Sequence, residues 1–233
     1  RFAGSMQREV LSRTGPGGSA ALKASEIALG AESRPVYETA KRVFDVIGAS
    51  LLLVLSALPA MIIAILIKLD DEGPVLFKQT RVGRFGKLFT IYKFRTMIAD
   101  AEKMQRELEK YNEAGGAYFK MKNDPRVTRV GRILRKLSLD EIPQFINVLT
   151  GDMSLVGPRP LPVTGYENED WYIQKVSVPP GMTGLWQISG RSDLTGEQAA
   201  ELDLEHVRRR GFLFDLKILL LTIPAVLRRK GAA

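Results

Sequence analysis

Two adjacent carboxylates, Asp140 and Glu141, are the strongest candidates for chemistry in this 233-residue chain. They follow three cations, Arg132, Arg135 and Lys136, which would keep Asp140 ionised and attract phosphate. An ionised carboxylate can attack phosphorus and form an acyl phosphate. Its neighbour can hold a magnesium ion, whose charge offsets the charge that builds on a diphosphate. The arrangement suits phosphoryl chemistry at this pair but is not specific to it.

The same pair also has a purely structural interpretation. Ser138 and Glu141 have the spacing of a capping box, which places Asp140 and Glu141 in the first turn of a helix. Acidic side chains are favoured there by the helix dipole. Pro143 disfavours a regular turn at that depth, because it lacks a backbone donor. Capping and catalysis require the same geometry, so the pair alone does not decide between them.

Two loops rich in glycine and proline offer further contacts for an anionic ligand. In residues 157–162, three prolines constrain the backbone and fix the direction of Arg159. In residues 180–191, glycines permit close approach of the backbone to a ligand. The second loop also carries three side chains for stacking, amide and cationic contacts: Trp186, Gln187 and Arg191.

Composition narrows the classes of chemistry. The chain has no cysteine and one histidine, His206, which excludes disulfides, thiol catalysis and cysteine or multi-histidine metal sites. Its net charge of +8 favours anionic partners, such as phosphorylated substrates or acidic lipids. A nucleic-acid-binding module is disfavoured, because the cations are spread along the chain and a long uncharged segment has no use there.

That uncharged segment, residues 46–67, dominates the hydropathy of the chain. Its length suits a bilayer core, which about 20 apolar helical residues span; a buried core helix is the alternative. Pro59 near the middle favours a bend, and Ser56 could bond a carbonyl that the proline leaves free. Basic residues flank both ends, which predicts that both ends face the cytoplasm. A re-entrant hairpin satisfies these observations better than a straight span.

The interpretation of residues 46–67 as a membrane segment divides the chain into three regions. Residues 1–35 are interpreted as an artificial leader and a flexible linker, residues 36–70 as the re-entrant membrane helix, and residues 71–233 as a cytosol-facing catalytic domain. The predicted fold class is α+β: a mostly helical monotopic membrane protein with a small β element and interfacial amphipathic helices.

Local patterns predict the elements of the third region. Strands are expected at 75–77 and 88–94, where apolar residues lie between turn signals. A charged helix is expected at 99–111 and a second helical region at 134–149. The apolar segment 213–227 suits a helix in the membrane interface or a helix packed in the core.

Six motifs in order resemble the bacterial sugar transferase family, the monotopic polyprenyl-phosphate phosphoglycosyl transferases. The resemblance runs from about residue 41 to residue 231, and the chain is expected to be the catalytic domain of a larger member. The motifs are Lys-Arg-Val-Phe-Asp at 41–45, Gly-Pro-Val-Leu-Phe at 73–77, Ile-Tyr-Lys-Phe-Arg-Thr-Met at 91–97, Ser-Leu-Asp-Glu at 138–141, Gly-Pro-Arg-Pro at 157–160 and the glycine-rich stretch 181–191.

The resemblance implies transfer of a sugar 1-phosphate from a UDP-sugar to undecaprenyl phosphate, with release of UMP. This reaction would be the first membrane step of exopolysaccharide, capsule or O-antigen assembly. Asp140 would be the nucleophile that forms a covalent phospho-sugar intermediate, and Glu141 would assist catalysis and, with Asp140, bind Mg²⁺. The resemblance places the substrate-binding residues at Lys93, Arg95, Arg135, Arg159, Gln187, Arg191 and Asp203.

The same resemblance implies a monotopic protein of the bacterial inner membrane, whose catalytic domain faces the cytoplasm. Its partners would be the UDP-sugar, undecaprenyl phosphate and membrane lipids, and nucleic acid would not be a partner. The sequence leaves the formation of a homo-oligomer undecided. The alternative is a non-enzymatic membrane scaffold with basic flanks. A scaffold would leave the acidic pair and the two glycine- and proline-rich loops unexplained.

Overall fold

The computed structural model describes residues 34–101, 103, 104, 108, 121, 124–163, 170–190 and 194–227. Most of the charged helix predicted at 99–111 lies outside these ranges. The helices are α1 Pro35–Asp70, α2 Arg129–Leu137, α3 Gln144–Thr150, α4 Asp170–Lys175, α5 Leu185–Ser189, α6 Gly196–Arg209 and α7 Phe212–Leu227. The strands are β1 Leu76–Val82, β2 Leu88–Phe94, β3 Ser154–Val156, β4 Leu161–Pro162 and β5 Gly181–Thr183. The fold is therefore mixed and mostly helical, as predicted.

The first helix, α1, is long and apolar enough to cross a membrane. Its middle turns expose large apolar side chains to the surroundings, and Val54 is 74% exposed. A core helix would bury such residues, so the alternative of a buried core helix is wrong. Nothing but a nonpolar solvent or a partner surface would stabilise this exposure.

Pro59 lies inside α1, and the helix continues through it for 36 residues in all. The proline leaves the carbonyl of Leu55 without its helical donor. The Ser56 hydroxyl donates to the carbonyl of Leu53 at 3.3 Å instead, so the expected compensation by Ser56 is wrong. The reason is local, since a serine hydroxyl on a helix reaches back to the preceding turn and not to its own neighbour.

Two regions of α1 pack against the rest of the protein. In its first half, Ala49 is buried in an apolar cluster with Val148 of α3 and Leu155 of β3. Near its end, Ile63 and Ile67 are buried in a second cluster with residues of α2 and β2. Between these two regions, α1 exposes large apolar side chains that include Leu51, Val54, Leu55 and Leu58.

Two small sheets support the loops that follow them. β1 and β2 pair antiparallel, with Leu76 opposite Phe94, and β4 joins the other edge of β1. β3 and β5 pair in parallel. β2 has the predicted bounds, whereas β1 extends beyond the predicted 75–77, because its pairing with β2 continues to Val82.

The helical region predicted at 134–149 is divided into α2, a 3-10 turn at Leu139–Glu141 and α3. Ser138 causes the first break: it has a left-handed φ of 55°, and its amide bonds back to the carbonyls of Arg135 and Leu134. Among the described residues its hydroxyl caps no amide of the turn. The predicted hydrogen bonds of a capping box are therefore wrong, because Ser138 ends α2 in the left-handed conformation. The predicted position of Asp140 and Glu141 in a first helical turn is confirmed, in the short 3-10 helix.

The last helix, α7, combines both of the environments expected for it. Ile218 and Asp215 are buried, and α7 packs on α5, β3 and α1. Leu213, by contrast, is 81% exposed, and Leu220 and Ile223 also face outwards. One side of the helix therefore belongs to the core, and another presents an apolar surface.

Candidate active site

The acidic turn, residues 138–143, is placed by α3, and α3 is joined to β2 by Asn147. The buried Asn147 carboxamide donates to the Thr90 carbonyl at 2.7 Å and accepts from the Tyr92 amide at 3.1 Å. These bonds satisfy an edge of β2 beside which no strand lies within the described ranges. The acidic turn, directly before α3, consequently lies beside Lys93 near the end of β2.

The other side of the acidic turn is placed by α2. Gly131 lies so close to the carbonyl oxygen of Thr96 that a Cβ atom would overlap it. One turn later, Arg135 donates from Nε to the Thr96 hydroxyl at 2.9 Å. The close approach of α2 to Thr96 brings the charge of Arg135 to Asp140.

Lys93 bridges the two carboxylates of the acidic turn. Its Nζ atom lies 2.8 Å from Glu141 Oε1 and 3.8 Å from Asp140 Oδ2. On the other side, an Arg159 guanidinium nitrogen lies 3.4 Å from the same Glu141 oxygen. The Asp140 and Glu141 side chains are 14% and 23% exposed, so a ligand can still reach them.

These neighbours act on the two carboxylates in opposite directions. Burial raises the pKa of Asp140 and Glu141 raises it further, while Lys93, Arg135 and Arg159 offset part of the rise. In Glu141, the cations overcome the effect of burial, and Lys93 and Arg159 lower the pKa to about 2. Lys93 and Arg159 therefore stabilise the ionised form of Glu141 more than that of Asp140. Asp140 is the carboxylate with the higher pKa.

The cations around the acidic pair are not the same three that the sequence predicts. Of the three cations that precede the pair in sequence, Arg135 acts on Asp140. Arg132 and Lys136 lie on the exposed side of α2. Lys93 and Arg159, which are remote in sequence, complete the set because β2 and the loop after β3 meet at the acidic turn.

Arg159 is held by two groups behind the site. Its guanidinium carbon lies 5.6 Å from the centre of the Trp186 ring, within the range of a cation–π interaction. Its backbone amide faces the carboxylate of Asp203, which is 1% exposed and lies 2.6 Å from Lys175. Burial raises the pKa of Asp203, and Lys175 and the Arg159 amide offset part of this rise. Asp203 thus supports Arg159 from inside the protein.

Of the other residues predicted for substrate binding, the structure describes Arg95 and Gln187, and neither is seen to contact the acidic pair. Arg95 is buried, pairs with Asp71 at 2.5 Å and ties the end of α1 to β2. Gln187 is buried in α5, where its amide donates to the Met182 carbonyl at 3.4 Å. Arg191 lies outside the described residues. The structure therefore brings Lys93, Arg135 and Arg159 to the acidic pair, and it does not bring Arg95 there.

Sequence reasoning missed several residues that shape the site. Asn147, Thr96 and Lys175 act through long-range contacts that no local motif reports. Trp186 was noted as a stacking group, and its contact with Arg159 gives that ring a partner within the protein.

Within the part of the chain that the structure describes, no cluster of three or more potential metal ligands of the histidine, cysteine or carboxylate type occurs. Asp140 and Glu141 are adjacent oxygen donors beside the open face of the site. Magnesium is commonly bound by one or two carboxylates together with waters and substrate phosphates. The pair therefore fits a magnesium ion that a phosphorylated substrate helps to hold.

We expect Lys175→Met to lower the free energy of unfolding by about 3–5 kcal/mol at pH 7, because Asp203 would be left as a buried charge without its partner. The pKa of Asp203 would then rise further, so the carboxyl would take up a proton as the pH falls, and the loss would shrink towards acid pH. Thermal unfolding in detergent micelles at neutral and acid pH measures both effects. The control is Lys175→Met with Asp203→Leu, which removes both charges; an equal loss in this double variant would contradict the explanation.

Comparisons with known proteins extend these observations. Residues 36–229 match the family described as Bacterial sugar transferase. The chain is 44% identical over 200 residues to the undecaprenyl-phosphate galactose phosphotransferase of Salmonella typhimurium, covering 82% of this chain and 41% of that protein. It is 41% identical over 207 residues to the exopolysaccharide production protein ExoY of Rhizobium meliloti, covering 85% and 90%.

A third relative is the UDP-glucose:undecaprenyl-phosphate glucose-1-phosphate transferase of Escherichia coli, 40% identical over 207 residues, which cover 81% of this chain and 42% of that protein. The chain thus spans about two fifths of the length of the Salmonella and Escherichia proteins and nearly all of ExoY. The family match covers α1 to α7 apart from the first residue of α1, and it includes the acidic turn. The chain belongs to the bacterial sugar transferase family.

Proposed function

We propose that this protein transfers a sugar 1-phosphate from a UDP-sugar to undecaprenyl phosphate and releases UMP. The observation that carries the proposal is the acidic turn: two adjacent carboxylates, one of them held by Lys93 and Arg159, at a partly open site. The names of the Salmonella and Escherichia relatives specify undecaprenyl phosphate, and the latter also specifies a UDP-sugar. A non-enzymatic scaffold would not need cations placed at a carboxylate pair.

In the proposed reaction, a carboxylate oxygen of Asp140 attacks the phosphorus that bears the sugar. The bond from that phosphorus to the bridging oxygen breaks, and its electron pair leaves with UMP. A phosphate oxygen of the lipid then attacks the same phosphorus, which breaks the bond to Asp140 and restores the carboxylate. Lys93, Arg135 and Arg159 offset negative charge near the reacting group.

Asp140 and Glu141 would hold Mg²⁺ together with the diphosphate of the donor. The ion would stabilise negative charge on the leaving UMP. Glu141 suits this role because Lys93 and Arg159 keep its pKa at about 2, so it is ionised throughout the neutral range.

We further propose that α1 enters and leaves the bilayer on the cytoplasmic side of the inner membrane. A helix of 36 residues is about 54 Å long, well beyond a hydrocarbon core of about 30 Å. Both of its ends contact the same folded unit, through Arg42 on α3 and Asp70 on α2. A transverse span would place the two ends on opposite sides of the membrane, where one unit could not contact both. The basic flanks favour the cytoplasm.

Single cysteines in place of Thr39 and Thr80 are both expected to react from the cytoplasmic side. Both positions are exposed and lie on either side of the apolar segment, and the chain has no other cysteine. Labelling with a membrane-impermeant maleimide in inverted and right-side-out vesicles measures the orientation. Reaction from opposite faces would establish a true span.

The reaction is tested by incubating a membrane fraction containing the protein with radiolabelled UDP-sugars and undecaprenyl phosphate. A panel of UDP-glucose, UDP-galactose and UDP-N-acetylated sugars is needed, because these donors differ only in the hydroxyl or acetyl groups that make one or two contacts with the protein. We expect label in the lipid extract with at least one donor in the presence of Mg²⁺, and its loss with EDTA. Absence of transfer from every donor would favour the scaffold.

A further inference from the structure

The acidic turn is flanked by two short helices, and α1 contacts the outer end of each. α2 has nine residues and ends at the turn, and α3 has seven residues and begins after it. Helices of this length have little stability of their own in water. Ser138 reverses the backbone between them, and Pro143 carries no amide hydrogen. The angle between α2 and α3 must therefore be set by contacts outside the turn.

Arg42 of α1 holds the outer end of α3. Its two terminal nitrogens donate to the carbonyls of Val148 and Leu149 at 2.6 and 2.7 Å. Carbonyls in the last turn of a helix lack donors within the helix, and a cation there also complements the helix dipole. The planar guanidinium binds both carbonyls at once.

Asp70 of α1 holds the outer end of α2 in the complementary way. Its carboxylate accepts the amide of Val130 at 2.9 Å, in the first turn of α2. The hydroxyl of Thr128 accepts the next amide, that of Gly131. Asp70 therefore accepts the Val130 amide, which the Thr128 hydroxyl does not bind. Its negative charge also suits a helix N-terminus.

We propose that Arg42 and Asp70 are positioning residues for the acidic turn, and that the membrane helix is a brace across the two helices that carry this turn. Arg42, near the start of α1, binds the C-terminal end of α3, and Asp70, at the end of α1, binds the N-terminal end of α2. Each side chain carries the charge that favours this helix end. The brace sets the position of Asp140 and Glu141 relative to Lys93, which lies on β2. α1 is thus part of the scaffold of the site as well as a membrane segment. The activity tests of this inference rest on the proposed function.

Conservative substitutions separate the proposed bracing role from the effect of flanking charges on the orientation of the membrane segment. Arg42→Lys keeps the positive flank that orients the membrane segment, but a lysine cannot donate from a planar fork to two carbonyls. Asp70→Asn keeps a carbonyl oxygen that can accept the Val130 amide, whereas Asp70→Leu removes the acceptor. Lys68→Met is the matched control, because it removes an exposed flanking charge near the end of α1.

The full chain in detergent micelles is assayed for kcat and KM with the active UDP-sugar, and vesicle flotation measures membrane binding. We expect Arg42→Lys and Asp70→Leu to lower kcat by about tenfold or more, as for a misplaced reacting group, with KM for the donor changed less than twofold. Asp70→Asn should restore most of kcat, and Lys68→Met should match the wild type. Flotation should be unchanged in all four variants. Wild-type kcat in Arg42→Lys, or an equal loss in Asp70→Asn and Asp70→Leu, would overturn the proposal.

A second measurement does not depend on activity. Hydrogen exchange of the amides in residues 138–150 should be faster in Arg42→Lys and Asp70→Leu than in the wild type or Lys68→Met, at temperatures where all variants remain folded. Unchanged exchange would overturn the brace even if the wild type transfers no sugar phosphate. Faster exchange without wild-type transfer would retain the brace and reject the proposed reaction.

Discussion

We expect Asp140→Asn to abolish the proposed sugar phosphate transfer, with a loss of at least about a thousandfold in kcat. The amide has nearly the shape of the carboxylate but is not a nucleophile towards phosphorus. Neighbouring Glu141 does not replace it, because Lys93 and Arg159 hold the Glu141 carboxylate. The measurement is initial rate of lipid-linked product formation at saturating donor and acceptor.

The same variant tests the covalent step directly. With donor alone, the wild-type chain should acquire the mass of a phospho-sugar and release one equivalent of UMP, whereas Asp140→Asn should do neither. Asp100→Asn is the matched control, because Asp100 is an exposed acid paired with Lys103, and it should behave as the wild type. Full adduct formation in Asp140→Asn would rule out Asp140 as the nucleophile.

Lys93→Met is expected to lower kcat/KM for the donor by about a hundredfold at pH 7, comparable to the loss of one group that stabilises transition-state charge. Lys93 is the cation that approaches both carboxylates, and it lowers the pKa of each. Its loss would also leave Glu141 with Arg159 as its remaining ion-pair partner among the described residues. Lys93→Arg should retain more activity, since it keeps the positive charge.

The pH dependence gives a second readout for Lys93. In the proposed mechanism the unprotonated Asp140 is the nucleophile, so the acid limb of kcat/KM is expected to follow its pKa. Lys93 lowers that pKa against the effect of burial, and its removal therefore raises the pKa. The acid limb should move to higher pH in Lys93→Met and less so in Lys93→Arg. An acid limb at the wild-type position in both variants would show that Lys93 does not act through the carboxylates.

Local patterns in the sequence were sufficient for features that depend on neighbours along the chain. The apolar residues between turn signals located β2 at its observed bounds, and the uncharged segment located the exposed middle of α1. The adjacency of Asp140 and Glu141 is itself a property of the sequence. The six ordered motifs also identified the family, which the family match confirms.

Local patterns failed where a distant contact decided the outcome. The capping box at Ser138 was wrong, because the serine ends α2 in a left-handed conformation. Arg95 lies beside Thr96 in sequence, yet it binds Asp71 at the end of α1 and not the acidic pair. The pairing of Asp203 with Lys175, beside the backbone of Arg159, was likewise not visible in the sequence, and its role in substrate binding stays a prediction.

The acidic pair, the apolar segment and the strand β2 can be predicted from the sequence, because each depends on residue types that are close along the chain. The cations that meet the acidic pair, and the acid whose pKa is lowered, follow from the folded arrangement. The tertiary structure also shows that α1 touches both helices around the turn. These properties depend on burial and on distances between residues far apart in sequence, and Coulomb interactions and desolvation both change steeply with such distances.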